Sequence, residues 1–131
     1  MKITAIRAHV LRLPEVSAIC EGTQDTCLIQ IETDAGIIGW GEVDSCPSVV
    51  KAIIEAPLSH QICNGLANAL VGADPLAVEA CMARMDAAAN YYGRVGVGAH
   101  AMAGVNQALW DIAGKAHDAP IYQLFGGPFK K

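Results

Sequence analysis

Residues 2–43 follow a two-residue repeat, and the residues after them do not. In 2–13, Ile6, Ala8 and Val10 share one side and Arg7 and His9 alternate with them, which predicts a half-buried strand ended by Pro14. Residues 15–25 are polar and contain Gly22, so they read as a loop. Residues 26–33 alternate again, with Cys27, Ile29 and Ile31 facing one way and Gln30 and Glu32 the other. Asp34-Ala35-Gly36 reads as a short hairpin turn in which Gly36 takes the left-handed conformation. Residues 37–43 return as a third strand, whose Gly39 and Gly41 fall on one face and predict a close backbone approach or a bulge.

Beyond this meander the period becomes helical. Pro47 suits the first position of a helix running to about Ala56, and Pro57 stops it. Ser59 is read as the cap of a second helix marked by Ile62, Cys63, Leu66 and Leu70 and ended by Gly72. Asp74-Pro75 predicts the start of a third helix, to about Asn90, with Val78, Cys81, Met82 and Met85 as its buried stripe. A glycine-rich stretch leads into the longest helix, about 98–117, where Met102, Val105, Leu109, Ile112 and Ala116 form an apolar seam and Asp111 and Lys115 an i,i+4 pair. Strands first and helices afterwards define an α+β fold: a three-stranded antiparallel meander followed by a helical bundle.

Composition narrows the function classes. Of the 131 residues 53% are hydrophobic and 17% charged, which excludes a disordered chain. The length excludes a complete (β/α)₈ barrel, which needs roughly 200 residues or more. The net charge is −4 and the Lys and Arg residues are scattered, so there is no footprint for nucleic acid. No apolar run has the length of a membrane span and no signal-peptide core is visible, which predicts a cytoplasmic protein. The cysteines, Cys20, Cys27, Cys46, Cys63 and Cys81, are odd in number and read as reduced thiols. His60-x-x-Cys63 has no second pair to complete a zinc site.

Several motifs invite chemistry. Gly96-Val97-Gly98-Ala99-His100-Ala101 fits a dinucleotide fingerprint, but a helix and not a strand precedes it, so a helix–helix connection is the better reading. His9, His100 and His117 read as structural, and Asp25, Glu42 and Asp44 as carboxylates in or beside loops. Tyr91-Tyr92-Gly93-Arg94 places two phenols and a guanidinium at a helix end, where Arg94 could hold a carboxylate; packed tyrosines with a solvated Arg94 is the simpler alternative.

Four stretches are more specific. They are Met1–Ile6; the hairpin Ile31–Glu42, with its Gly39-Trp40-Gly41-Glu42; Ala103–Ala116, containing Ala108-Leu109-Trp110-Asp111-Ile112-Ala113-Gly114-Lys115-Ala116; and Pro120-Ile121-Tyr122-Gln123-Leu124-Phe125-Gly126-Gly127. Together they resemble the N-terminal end of enolase-superfamily proteins of the mandelate racemase/muconate lactonizing enzyme group. The resemblance implies an enolase N-terminal domain-like cap over the mouth of a modified TIM barrel. It further implies that the barrel supplies the acid/base residues and three carboxylate ligands for Mg²⁺, which stabilises the enediolate formed when a proton leaves the carbon next to a carboxylate.

The sequence ends at Gly127-Pro128-Phe129-Lys130-Lys131, about where the first barrel strand is expected. Residues 1–127 are therefore expected to be the capping domain with its link, and 128–131 the start of a missing C-terminal barrel. No catalytic or metal residue of the family is matched, so no cofactor is expected in this chain itself, and the chain alone is expected to be inactive. By loop position, the resemblance leaves substrate-binding roles for Cys20, Glu21 and Asp25 in the first loop and for Asp44 and Ser45 in the second. The whole protein is expected to be an acid-sugar dehydratase or racemase, a lyase or isomerase and a homo-oligomer, acting on a small carboxylate with no nucleic acid or membrane partner. The alternatives are a free-standing binding module that has lost its barrel and a cysteine-based redox protein.

Overall fold

The computed structural model describes residues 1–19, 23–60, 62–93 and 95–128. Three strands, β1 (Ile3–Arg12), β2 (Asp25–Thr33) and β3 (Ile38–Val43), pair antiparallel in the order β1-β2-β3. The predicted meander forms, with each strand end within one residue of its predicted position. Cys27, Ile29 and Ile31 are fully buried, together with Ile6, Ala8 and Val43 of the neighbouring strands. The hairpin turn is closed by the Gly36 N–H on the Thr33 carbonyl at 3.1 Å, with Gly36 at φ +76°. A register shift between Ile3 and Ala5 turns the start of β1 so that Ile3 is also buried.

The described residues form the helices α1 (Pro47–Glu55), α2 (Leu66–Leu70), α3 (Val78–Ala88), α4 (Val97–Ala116) and α5 (Ile121–Leu124); α1, α2 and α4 pack on the strands, α3 packs on α2 and α4, and α5 on α4. Proline at the start of α1 and the α4 seam of Met102, Val105, Leu109 and Ile112 are as expected. Ala116, expected to close that seam, is exposed, and Ala113 is buried instead. The α4 helix lies directly on β3. A Cβ placed on Gly41 would stand 2.0 Å from the Gly104 carbonyl oxygen, and one on Gly39 would stand 2.2 Å from that of Ala108. The close approach expected from the two glycines is therefore a helix–sheet contact that only hydrogen side chains permit.

Two helix starts differ from expectation. Ser59 does not cap a helix. Its N–H and that of His60 bond the Cys63 carbonyl, Ile62 is exposed, and α2 begins only at Leu66. The reason lies at Gly65, where a Cβ would be 2.2 Å from the Ala56 carbonyl oxygen. The chain is drawn back against the end of α1, which a straight helix from Ser59 could not do. Similarly, Asp74 turns back on its own segment, accepting the Leu76 N–H at 3.1 Å, so helical geometry starts at Val78. The predicted α3 stripe is otherwise correct, with Val78, Cys81 and Met85 buried and Met82 half-buried.

Both free edges of the sheet are occupied by side chains. On the β3 edge, Gln107 Oε1 accepts the Glu42 N–H (3.1 Å), Asp111 Oδ2 accepts the Trp40 N–H (2.8 Å) and Lys115 Nζ donates to the Ile38 carbonyl (2.7 Å). Lys115 also pairs with Asp111 at 2.6 Å, the expected i,i+4 pair. On the β1 edge, Glu55 Oε1 accepts the Ala8 N–H (3.0 Å) and Lys51 Nζ donates to the Ala8 carbonyl (2.6 Å), the two side chains being 3.0 Å apart. Backbone groups that would otherwise invite another strand are thereby satisfied. Burial pushes the Glu55 carboxyl up, but the Ala8 N–H and then the Lys51 ammonium outweigh it, and the net shift is downward.

Candidate functional site

The antiparallel register places the end of β1, the start of β2 and the end of β3 together: Arg12 faces Asp25, and Cys27 faces Val43. The segments that leave this end, 13–24 and 44–46, overlap the loops expected at 15–25 and about 44–50; the expected bounds run too far because Asp25 already belongs to β2 and Pro47 to α1. Between these segments and the first half of α4 is a cleft of about 450 Å³, lined by Thr23, Glu42, Val43, Asp44, Ser45, His100, Ala103 and Gln107. The size is that of a small-molecule site.

Its polar groups hold one another. Ser45 Oγ and His100 Nδ1 are 2.6 Å apart, the hydroxyl donating when the imidazole carries its proton on Nε2. Thr23 Oγ1 donates to Asp44 Oδ2 at 3.4 Å, tying the first loop to the second. Thr26 Oγ1 bonds Glu42 Oε1 at 2.9 Å. Cys46, next in the second loop, has a left-handed backbone (φ +46°), and its carbonyl accepts the Val49 and Val50 N–H groups as α1 begins. The Ser45–His100 pair does not reproduce a hydrolase dyad. There the nucleophile faces Nε2 and Nδ1 is turned to an orienting carboxylate, whereas here the hydroxyl occupies Nδ1. The arrangement positions Ser45 and leaves the other ring nitrogen to the cleft.

Of the residues expected to contact substrate, Asp44 and Ser45 are brought together in this cleft. Asp25 is not a loop residue. It opens β2 opposite Arg12 and lines an adjoining cleft of about 280 Å³ with Leu13, Thr23 and Glu42. Cys20 and Glu21 lie outside the described residues, as does Arg94. His100, Thr23 and Gln107 were not singled out as site residues. Their signal is weak: His100, Ala103, Gln107, Asp111 and Lys115 recur at helical spacing on the side of α4 away from its apolar seam.

The other motifs find structural explanations. Tyr92 donates its hydroxyl to the Asn64 carbonyl at 3.0 Å, and burial, with Cys63 nearby, pushes its phenol up to about 12. Tyr91 stands edge-on to His60 with ring centroids 5.1 Å apart. Among the described residues no strand feeds the glycines before α4; α3 and a turn precede them. Burial raises the Cys27 and Cys81 thiols, the opposite of what nucleophilic or redox chemistry requires. Among the described residues no three His, Cys, Asp or Glu side chains are grouped to hold a metal ion. No helix among them is long and apolar enough to cross a membrane.

A second surface is apolar. Leu76, Val78, Trp110, Ala113, His117 and Leu124 line a groove of about 520 Å³. Beside it Trp110 packs on Phe125 with centroids 4.5 Å apart, although Phe125 is 63% exposed.

Residues 2–126 match the family described as mandelate racemase / muconate lactonizing enzyme, N-terminal domain. The chain belongs to that family. It is 41% identical over 101 residues to D-galactonate dehydratase of Klebsiella pneumoniae (strain 342), covering 76% of this chain and 24% of the relative. It is 33% identical over 136 residues to D-galactarolactone cycloisomerase of Agrobacterium fabrum, covering all of this chain and 34% of that enzyme. Among solved structures, the 3,6-anhydro-D-galactonate cycloisomerase of Zobellia galactanivorans superposes with a TM-score of 0.77 at 29% identity, over 97% of this chain and 32% of that one. An enolase-superfamily member from Polaromonas sp. JS666 gives 0.76 at 32%, over 98% and 34%. This enolase-superfamily N-terminal domain thus spans about a quarter to a third of these relatives.

Proposed function

We propose that residues 1–127 are the capping domain of a sugar-acid dehydratase or racemase-like isomerase and that this domain encloses the substrate over a C-terminal barrel. The observation that carries this is that Thr23, from the segment after β1, and Asp44 and Ser45, after β3, meet in one polar cleft. The sugar-acid relatives, which are about three times longer, supply the reaction class. In this reading Asp44 and Ser45 contact substrate, while Thr23 and His100 fix where they point. Closure of the two loops excludes water from the reacting end of the substrate. Proton abstraction next to the carboxylate, and the Mg²⁺ that assists it, belong to the barrel. No step of that chemistry is assigned to residues of this chain. The apolar surface around Trp110 and Phe125 is the face that meets the barrel. The reading also includes a cytoplasmic homo-oligomer.

The test pairs two preparations, the 131-residue chain alone and the chain joined to its barrel, assayed with Mg²⁺ and a panel of sugar acids. Dehydration or epimerisation is expected from the second only, and turnover by the isolated chain would refute the reading. A free-standing module makes a different prediction for the isolated chain: a monodisperse species that melts cooperatively and binds no hydrophobic dye.

A further inference from the structure

Resting on that reading, we propose that the cleft selects by charge. The substrate is a monocarboxylic polyhydroxy acid whose neutral, hydroxyl-bearing end lies between Asp44 and Ser45, and acids carrying a second carboxylate at that end are refused. Asp44 and Glu42 are the specificity-determining residues.

The lining presents two carboxylates, the hydroxyls of Thr23 and Ser45, the Gln107 amide and the His100 imidazole. Neither Lys nor Arg lines it among the described residues. The two loops themselves, residues 13–24 and 44–46, contain Glu15, Glu21 and Asp44 but no basic residue. Arg12, at the end of β1, lines the adjoining cleft beside Asp25 instead. A bound carboxylate needs donors, best of all a guanidinium fork. This cleft offers mainly acceptors.

A hydroxyl is served differently, because it donates and accepts at once. Asp44 and Glu42 each accept one bond from a threonine and keep lone pairs free for a substrate hydroxyl. His100 spends Nδ1 on Ser45, so its other nitrogen remains available to the cleft. The combination matches a chain of carbon-bound hydroxyls. A second carboxylate would meet two like charges in a site from which water is excluded, where such repulsion is strongest.

The experiment uses the enzyme that contains this chain with its barrel. It compares six-carbon aldonic acids with the aldaric acids of the same hydroxyl configuration. For the best pair, kcat/KM should favour the monoacid by about 10-fold or more. In Asp44→Asn that preference should shrink by about 10-fold. Glu42→Gln provides a second reading because its amide oxygen can still accept from Thr26; it should shrink the preference in the same direction. Equal or faster turnover of the diacid by the unmodified enzyme overturns charge selection and leaves the sugar-acid reading intact. An unchanged preference in both variants, each checked for a normal melting curve, also overturns it. Turnover of no sugar acid overturns both this inference and the function on which it rests.

Discussion

At Gly41 the β3 backbone comes so near to α4 that a methyl group has no room, because the obstructing atom is the Gly104 carbonyl oxygen at 2.0 Å. Neither backbone can yield without separating helix from sheet. Gly41→Ala is therefore expected to cost about 3 kcal/mol or more, as severe overpacking does. Gly36→Ala meets nothing within 4 Å and is strained only by its left-handed turn, about 1 kcal/mol. Urea denaturation of the two variants checks the order. Titration adds two expectations. Glu55 is held below the ordinary carboxyl range, so it supports the fold above that range and the support is lost as pH falls through its native value. Tyr92 is held above its ordinary value, so its contribution is complete below about 10 and lost as pH rises toward about 12. Melting curves of Glu55→Gln should show a weaker acid dependence, and those of Tyr92→Phe a weaker alkaline one.

Among the elements, the two sheet edges are closed by the same device, a charged i,i+4 pair on a helix. Removing Asp111 frees the Trp40 N–H and takes away the ion-pair partner of Lys115, which keeps its bond to the Ile38 carbonyl, and water reaches this surface. Asp111→Ala is expected to cost about 1 kcal/mol, the usual net value of one such bond, and to speed hydrogen exchange at the Trp40 amide. An association state that grows with protein concentration would show that the opened edge recruits another strand. The elements themselves were mostly legible in the sequence. Alternation located the meander, and the seam Met102–Ile112 located α4, because burial on one face leaves a period. What was hidden depends on contacts between distant segments. The backbone of Ala56 decides at Gly65 that no helix starts at Ser59. His100 became a site residue only because Ser45 is brought to it from the end of β3. The family motif also acquired a physical meaning, since Asp111 and Lys115 grip the strand that contains Trp40.

For the molecule as a whole, the polar cleft and the apolar face set different requirements. Under the proposed function the cleft has to stay hydrated until substrate arrives. The Trp110–Phe125 region leaves large rings half-covered or exposed. The isolated chain is expected to bind a hydrophobic dye there, and joining it to the barrel proposed above should abolish the signal. A Phe125→Ser variant of the isolated chain should bind less dye while keeping its melting temperature, because Phe125 lies outside the buried core.

The grip of α4 on β3 also sets where the cleft can begin. Four helical residues advance about 6.0 Å and two strand residues about 6.6 Å, so the two elements act as a vernier whose marks drift apart by roughly 0.6 Å per rung. Lys115, Asp111 and Gln107 make three rungs against Ile38, Trp40 and Glu42. The next mark on the helix is Ala103, and β3 has already ended at Val43. Ala103 carries no group to continue the ladder, and it lines the cleft. The opening thus starts where the side-chain rungs run out. A single inserted residue between Gln107 and Lys115 should close or displace it without touching any residue inside.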